Sequence, residues 1–316
     1  MEKKINLQRY LYIINKNGIL FIFLLLCILL SIITPGFLSW VNILNVLRQS
    51  SIIGIMAIGT TFVIIGGGFD ISVGSTLVLT AAMCVGLQYY MHWGLAIALV
   101  LIIGALIGLF NGFLAAKIHI PAIIATLGTM TIIRGLAYLY TGGYPLYVEA
   151  PDFAFIGTGY LGPIPFPVIL LIIMVAFWQF ILEKTRLGRY TCALGGNKEA
   201  ARLSGVQVDY YHILTFVVGG LMAAMSGVVY ASRLLSVTPL AGQGYELDAI
   251  ASTVIGGTSV SGGEGSVVRT LVGVLLLTII ANVFNLMGIH IYVQYVVKGA
   301  IILSAVGFDT YSKSRQ

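Results

Sequence analysis

Three long stretches of the chain contain no charged residue. They lie between Asp70 and Lys117, between Asp152 and Glu183, and between Arg269 and Lys298. A membrane-spanning helix needs about 20 predominantly apolar residues, so each stretch is long enough for at least one. Only 9% of all residues are charged, whereas soluble domains have about 25%. A surface with so little charge is not stable in water, and we therefore expect lipid to surround the chain.

Hydropathy divides the chain into ten candidate membrane-spanning helices. Their approximate bounds are 18–35, 50–67, 73–90, 94–116, 122–141, 165–182, 212–231, 248–262, 268–287 and 291–308. The predicted fold class is therefore an all-α integral membrane protein, with residues 1–316 as a single transmembrane domain. Small residues recur at every fourth position in two of these helices, which allows close packing of helix backbones in lipid. These rows are Gly104, Gly108 and Gly112, and Gly219, Ala223, Gly227 and Ala231.

The distribution of Lys and Arg predicts the orientation, because cytoplasmic loops of membrane proteins are enriched in both. With ten spans and a cytoplasmic N-terminus, thirteen Lys and Arg residues fall inside and only Arg48 and Arg233 fall outside. Both termini are therefore predicted to be cytoplasmic. The basic N-terminus and the apolar stretch that follows also resemble a signal peptide, but no small-x-small cleavage site follows. We expect an uncleaved anchor.

The polar residues form no pattern typical of an enzyme or a metal site. Cys27, Cys84 and Cys192 are scattered, and the four histidines lack the spacing of metal ligands. No Gly-x-x-x-x-Gly-Lys-Ser/Thr motif is present, so the chain is not expected to hydrolyse ATP. The net charge of +6 comes without a basic patch interleaved with aromatic residues. We therefore expect no cofactor bound by this chain and no nucleic-acid partner.

Two glycine-rich runs follow the second and the eighth predicted spans. They contain the residues Gly66, Gly67, Gly68, Asp70 and Ser72, and the residues Gly256, Gly257, Thr258 and Ser259. Broken helices at membrane depth occur only where they are buried in protein or line a water-filled cavity. These nine residues are therefore candidates for a translocation path or gate, where free N–H groups and small polar side chains suit polyol oxygens. Glycine-rich turns outside the membrane explain the same residues equally well.

Charged residues within or near the spans give a weaker indication. Arg134 and Lys298 fall inside predicted spans, where each costs roughly 2.5–3.5 kcal/mol at the bilayer centre. We expect both to extend toward the head groups, with a position inside the bundle as the alternative. The carboxylates closest to the spans are near their ends, which argues against a proton-coupled carrier. They are Asp70, Glu246, Asp248 and Asp309.

The longest predicted cytoplasmic connection, residues 183–211, contains the signals of a short helix. Asn197 is a favourable N-cap, and Glu199 lies in the first turn, where a negative charge suits the helix dipole. Gly205 predicts the C-terminal end. Ala200 and Ala201 are expected to form a small, flat face. An isolated helix of two turns is marginal in water, so it either packs on its own bundle or docks in a groove of another protein.

The spacing of Glu199, Ala200, Ala201 and Gly205 resembles the Glu-Ala-Ala-x-x-x-Gly motif of ABC importer permeases, which forms the coupling helix in the ATPase cleft. The Ile-x-Leu-Pro tail of that motif is absent. The wider chain, from about residue 40 to 310, resembles the ribose, xylose and related monosaccharide permeases. The similar segments are 68–75, 121–128, 200–205, 244–251 and 254–259.

This resemblance implies a ten-helix bundle of the vitamin B12-importer type (type II) in a bacterial cytoplasmic (inner) membrane. It implies three protein partners: a cytoplasmic ATPase that binds ATP and Mg, an extracytoplasmic sugar-binding protein and a second permease subunit, here expected to form a homodimer. The binding protein is expected to dock on the loops 141–164 and 231–247. The residues expected to couple to the ATPase are Glu199, Ala200, Ala201, Arg202 and Gly205, with Arg186 at the rim.

The sequence therefore predicts the permease subunit of an ABC importer for a ribose-like pentose, which does not itself act as an enzyme. The same importer class carrying a furanosyl signal molecule, a nucleoside or a branched-chain amino acid is one alternative. An ion-coupled secondary carrier is another. The shortage of embedded charge favours a neutral cargo over a zwitterion.

Overall fold

The computed structural model describes the backbone of residues 2–313 and the side chains of residues 18–304, 306 and 307. Helices dominate this range, so the predicted all-α class is confirmed. The helices are α1 (Glu2–Ile33), α2 (Trp40–Ile65), α3 (Val73–Leu87), α4 (Trp93–Ala116), α5 (Ala122–Thr141), α6 (Pro151–Thr158), α7 (Phe166–Lys184), α8 (Arg186–Gly196), α9 (Lys198–Leu203), α10 (Val208–Leu234), α11 (Tyr245–Ile255), α12 (Val267–Leu286) and α13 (Ile291–Lys313).

The loops between the helices contain four strands of two residues each. The strand β1 (Leu146–Tyr147) pairs antiparallel with β4 (Ser236–Val237), and β2 (Tyr160–Leu161) pairs antiparallel with β3 (Ile164–Pro165). The sequence did not predict these strands. The β1–β4 pair joins two loops that are distant in sequence.

Six helices have the length and hydropathy to cross a membrane: α2, α4, α5, α7, α10 and α12. Three shorter apolar helices accompany them in the described part of the chain, namely Gly18–Ile33 within α1, α3, and Ile291–Ser304 within α13. The predicted span 248–262 is wrong in extent, because the helix ends at Ile255 and a turn follows at Gly256. The 11 residues of α11 rise about 16 Å, roughly half of the hydrocarbon thickness.

The central helix α10 packs against α2, α3 and α4. We call the end of the bundle that holds α8 and α9 the α9 end. At this end, Lys117 follows α4 and forms a 2.8 Å ion pair with Asp209 in the first turn of α10. The end of α2 contacts Gly195 of α8, and α7 leads directly into α8. The helices α2, α4 and α7 therefore finish at the α9 end, and α10 starts there.

Small residues bring α10 into backbone contact with its neighbours, as the two glycine rows predict. A Cβ atom at Gly104 would lie 2.5 Å from the carbonyl oxygen of Gly220, and one at Gly59 would lie 2.9 Å from the Cα of Gly219. A Cβ atom at Gly227 would lie 2.5 Å from the carbonyl oxygen of Leu77. The helix α10 thus has small residues on the faces toward α2, α3 and α4, and the predicted close packing is confirmed.

The variant Gly220→Ala is expected to lower the thermal stability of the detergent-solubilised protein. The added methyl group would meet the backbone of Gly104 and lie 2.9 Å from the amide nitrogen of Gly108. Overpacking of this kind costs about 1–3 kcal/mol. The control is Gly128→Ala in α5, where no atom lies within 4 Å. Size-exclusion profiles after heating measure the effect, and equal stability of the two variants would contradict this packing.

Two helices begin inside the bundle rather than at its ends. Gly74, in the first turn of α3, lies close to the Glu246 carboxylate in the first turn of α11, and a Cβ atom at Gly74 would be 3.2 Å from the carbonyl oxygen of Gly242. The segment leading to α11 is buried at Val237 and Ala241. From this meeting point α3 runs away from the α9 end and α11 runs toward it.

Arg134 holds the segment that leads to α11. Its guanidinium group donates hydrogen bonds to the carbonyl oxygens of Pro239, at 3.3 Å, and Ala241, at 2.8 Å. The interpretation that Arg134 extends toward the head groups is therefore wrong. The carbonyl groups satisfy a charge that would be costly in lipid, and they do so only because the connection before α11 enters the bundle.

Candidate functional site

The short helix α9 has the caps that its sequence predicts. The side-chain oxygen of Asn197 accepts a hydrogen bond of 2.9 Å from the amide of Ala200. Gly205 has a φ of +81°, which favours glycine, and the next amide, of Val206, donates to the carbonyl of Ala201 at 3.0 Å. Both ends of the helix are thus fixed by local hydrogen bonds. The predicted start and end are confirmed.

The exposed face of α9 differs from the predicted one. Ala201 is only 5% exposed, because it packs against Leu194 of α8 and Val208 of α10. Ala200 is exposed, since successive residues of a helix point about 100° apart. The prediction that both alanines form one small, flat face is therefore wrong. The outer face carries Leu203 instead, which is 88% exposed and which no motif in the sequence had indicated.

Three exposed charged side chains lie on α8 and α9, the helices at this end of the bundle. Glu199 and Arg202 form an exposed ion pair of 3.0 Å, and Arg186 is exposed at the start of α8. Exposed pairs contribute little to stability, so these charges remain available to a partner. Burial raises the pKa of the Cys192 thiol in α8, which keeps it protonated at neutral pH. The α9 end thus carries an exposed apolar residue together with exposed charges of both signs.

Three chain segments meet at the base of α9 through their backbones. The amide of Gly263 donates a 2.8 Å hydrogen bond to the carbonyl of Ile65. Gly195, near the end of α8, lies against both groups, and a Cβ atom there would be 2.5 Å from the nitrogen of Gly263. A Cβ atom at Gly262 would be 3.1 Å from the Cα of Gly67. We call Ile65, Gly67, Gly195, Gly262 and Gly263 the glycine contact.

The two predicted glycine runs form matching turns at the α9 end. Gly67 has a φ of +77° and Gly257 a φ of +82°. In both turns the next amide bonds back to the helix, from Gly68 to Val63 at 2.9 Å and from Thr258 to Thr253 at 3.1 Å. Gly66 and Gly256 are the C-caps of α2 and α11. The runs therefore end helices beside α9, and their role in a path stays a prediction.

The polar residues of the two runs are buried, and those of the first run are hydrogen-bonded within the chain. Asp70 accepts hydrogen bonds from the amide and hydroxyl of Ser72, at 2.8 and 2.6 Å, and the amide side chain of Asn111 donates to the Ser72 hydroxyl at 2.8 Å. Thr258 and Ser259 are buried beside the second turn. This network fixes the start of α3, so Asp70 and Ser72 have a structural role.

A cavity of about 540 Å³ lies between α2, α11, α12 and α13. Within it, Lys298 and Asp248 form an ion pair of 2.7 Å, with 28% and 10% of their side chains exposed. The interpretation that Lys298 extends toward the head groups is therefore wrong. The sequence indicated Lys298 as an embedded charge but missed its partner, because Asp248 lies at the end of a predicted span. The polar residues that line the cavity are Gln49, Gln243, Asn285, Gln294 and Thr278, with Tyr245 and Tyr295.

In the described part of the chain, six helices with the length and hydropathy to cross a membrane indicate a multi-pass membrane protein. Residues 42–306 match the family model described as branched-chain amino acid transport system / permease component. The chain belongs to this permease family.

Curated relatives are permease proteins of sugar transport systems. The chain is 43% identical over 311 residues to the ribose import permease protein of Haemophilus influenzae, which covers 97% of this chain and 96% of that protein. It is 44% identical over 303 residues to the ribose import permease protein of Bacillus subtilis, covering 94% and 93%. It is 39% identical over 302 residues to the L-arabinose transport system permease protein of Escherichia coli, covering 95% and 92%.

No solved structure matches the chain. The resemblance to monosaccharide permeases is confirmed by these relatives, and so is the location as a multi-pass protein of the bacterial inner membrane.

Proposed function

We propose that the chain is the permease subunit of an ATP-binding-cassette importer for a monosaccharide, with a ribose-like pentose as the preferred cargo. The observation that carries the proposal is the identity to ribose import permeases over nearly the whole chain. A relative named for L-arabinose transport widens the cargo class to pentoses. The chain acts as a transport subunit with no enzymatic step or cofactor of its own.

In this proposal the chain is a single domain, residues 1–316, that crosses the membrane ten times. The crossings are α1 to α5, α7 and α10 to α13, with α11 as a half-length crossing. The α9 end faces the cytoplasm, and both termini do so too. The charges support this orientation: Lys117, Lys184, Arg186, Arg189, Lys198, Arg202 and Arg269 lie toward the α9 end.

Two further observations bear on the orientation. Arg48 lies over the ring of Tyr160, 4.6 Å from its centroid, and Arg233 lies in the last turn of α10, both away from the α9 end. Six of the thirteen Lys and Arg residues predicted to be cytoplasmic are not among the residues whose side chains the structure describes, namely Lys3, Lys4, Arg9, Lys16, Lys313 and Arg315.

The ten-helix arrangement is that of a type II, vitamin B12-importer-type bundle.

The helix α9 couples the permease to the ATPase. Its exposed Leu203 enters an apolar groove of the ATPase, and Glu199, Ala200 and Arg202 contact the rim, with Arg186 beside them. Gly205 sets the turn that follows, and Ala201 holds the helix against the bundle. ATP and Mg bind to the ATPase alone. Closure of the ATPase pair around its nucleotides then displaces α9.

The glycine contact transmits this displacement to the helices. It joins the end of α8 to the end of α2 and to the turn between α11 and α12. The contacts are made by backbone atoms, so no flexible side chain can absorb a movement of α8. The two glycine runs, from Gly66 to Ser72 and from Gly256 to Ser259, act as the cytoplasmic gate in this proposal. Their exposed glycines, Gly67 and Gly257, support it.

Two further protein partners complete the importer. A second copy of this chain forms the homodimer, and a sugar-binding protein docks at the end of the bundle away from α9. Of the two loops predicted for docking, residues 141–164 include the exposed Tyr147, whereas residues 231–247 include the buried Val237 and Ala241. A cross-linker at Tyr147 is therefore expected to capture the binding protein.

Reconstitution tests the proposed function. Vesicles containing this chain, its co-purifying ATPase and a pentose-binding protein are expected to accumulate D-ribose only when all three proteins and ATP are present. Uptake by this chain alone, driven by an ion gradient without an ATPase, would contradict the proposal and identify a secondary carrier. Excess L-arabinose is expected to reduce the uptake of D-ribose, and excess leucine is expected to leave it unchanged. The reverse pattern would identify an amino-acid importer.

A further inference from the structure

We propose that the cavity between α2, α11, α12 and α13 is a binding site for a neutral polyol on the translocation route, with the Asp248–Lys298 ion pair as its central contact. This inference rests on the proposed function and names the place where that cargo is held inside the bundle. The glycine runs lie elsewhere, at the α9 end, and none of their nine residues lines the cavity.

The size and position of the cavity suit a small solute in transit. Its volume of about 540 Å³ falls within the roughly 300–1,000 Å³ of small-molecule sites. It extends from Asn285 and Ile291, where α12 ends and α13 begins, to Ile53 and Val274 in the middle of α2 and α12. The cavity therefore covers the half of the bundle away from α9, the side from which cargo enters an importer.

The lining chemistry matches hydroxyl groups, which both donate and accept hydrogen bonds. Four amide side chains, of Gln49, Gln243, Asn285 and Gln294, offer both functions. Gln294 is held in place because its amide nitrogen donates to the side-chain oxygen of Asn285 at 2.9 Å and to the carbonyl of Ile289 at 3.1 Å. The pair Gln294 and Asn285 is thus held in place, and Gln49 and Gln243 add further donors and acceptors to the lining.

The ion pair makes the site selective for an uncharged cargo. The carboxylate of Asp248 and the ammonium of Lys298 bond to each other at 2.7 Å, and their charges cancel. A hydroxyl group can still bond to either charge, and such charge-assisted bonds are roughly twice as strong as neutral ones. A cargo with its own carboxylate would be attracted by Lys298 but repelled by the adjacent Asp248, and a cargo with an ammonium group would meet the opposite case. Replacing a largely buried ion pair by apolar residues is often neutral or stabilising, so stability alone does not account for this pair.

The helix α11 connects this site to the α9 end. Its first turn supplies Tyr245, Leu247 and Asp248 to the cavity, and its last residue leads into the turn at Gly256 and Gly257, close to Arg269 of α12. Lys298 stands on a different helix, α13. Movement of α11 after ATP binding therefore shifts Asp248 relative to Lys298 and changes the hydrogen bonds available to the sugar. The site weakens when the route opens toward the cytoplasm.

Removal of both charges tests the contact. The double variant Asp248→Asn with Lys298→Gln leaves no unpaired charge, and we expect the sugar concentration for half-maximal uptake to rise at least tenfold. The control is Tyr292→Phe, on α13 near the same end but outside the cavity lining. Uptake by the double variant at the native sugar concentration and rate would overturn the proposal, because a purely structural pair predicts that result.

Thiol protection provides a second test that leaves the polar contacts intact. In a background free of cysteine, Leu247→Cys places a thiol in the cavity, and Leu240→Cys places one outside it; these leucines are 50% and 60% exposed. During ATP-driven uptake, D-ribose is expected to slow modification of the Leu247→Cys thiol at least threefold and leave the Leu240→Cys thiol unaffected. Equal rates with and without D-ribose, while uptake proceeds, would overturn the inference. Absence of uptake by the unmodified importer would instead count against the proposed function.

Discussion

Replacing Leu203 by Asp is expected to reduce ATP-dependent uptake at least tenfold while the protein still folds and inserts. Leu203 is 88% exposed in the isolated chain, so the substitution removes no contact within the bundle. Burial of a leucine side chain against the ATPase would contribute about 1.5–3 kcal/mol, and each 1.4 kcal/mol changes affinity about tenfold. An aspartate in the same groove also has to lose its water. Uptake into vesicles and binding of the ATPase measure the loss.

Two matched variants separate docking from folding. Leu203→Met keeps an apolar side chain of similar size, and we expect nearly native uptake. Ala201→Arg forces a charge into the space between Leu194 and Val208, and it should lower both thermal stability and uptake. Equal thermal stability of Ala201→Arg and the native chain, or native uptake by Leu203→Asp, would show that the assignment of the outer face of α9 is wrong.

Replacing Gly195 by Ala is expected to uncouple transport from ATP hydrolysis and to destabilise the protein. The methyl group would meet the carbonyl of Ile65 and lie 2.5 Å from the amide of Gly263, two groups that bond to each other at 2.8 Å. Overpacking costs about 1–3 kcal/mol, and loss of the bond adds about 0.5–1.5 kcal/mol. Uptake per ATP hydrolysed by the reconstituted importer should fall at least tenfold, because α8 would then be separated from α2.

The neighbouring residue provides the control for this prediction. A Cβ atom at Gly196 would have no atom within 4 Å, so Gly196→Ala changes the same helix end by the same group without a clash. We expect uptake and thermal stability close to native. If Gly195→Ala transports as well as Gly196→Ala, the glycine contact does not transmit movement from α9.

Local chemistry explains the parts of the fold that were predictable. The predicted span 122–141 coincides with α5, whose apolar stretch is closed by Pro121 at its start and by Gly142 at its end. The caps of α9 were predictable for the same reason, since Asn197 and Gly205 act on the nearest turn. The predicted span 248–262 failed because hydropathy does not register that Gly256 starts a turn inside an apolar stretch.

The candidate site was only partly predictable, because its members are distant in sequence. Lys298 stood out as a charge in an apolar segment, but its partner Asp248 is assigned only by the fold. Arg134 likewise bonds to carbonyl groups about a hundred residues further along the chain. Leu203 was not predictable as a contact residue, because its sequence neighbours do not indicate which side of α9 faces the bundle.

The sequence by itself determined that lipid surrounds this chain, where most apolar helices run and how α9 begins and ends, because hydropathy and capping act within a few residues. The tertiary structure alone decided that α3 and α11 begin inside the bundle, that Gly195 meets Ile65 and Gly263, and that Asp248 meets Lys298. The physical reason is that no hydrophobic force drives helices together in lipid. Backbone fit and buried polar pairs therefore select the neighbours, and both depend on residues far apart in the chain.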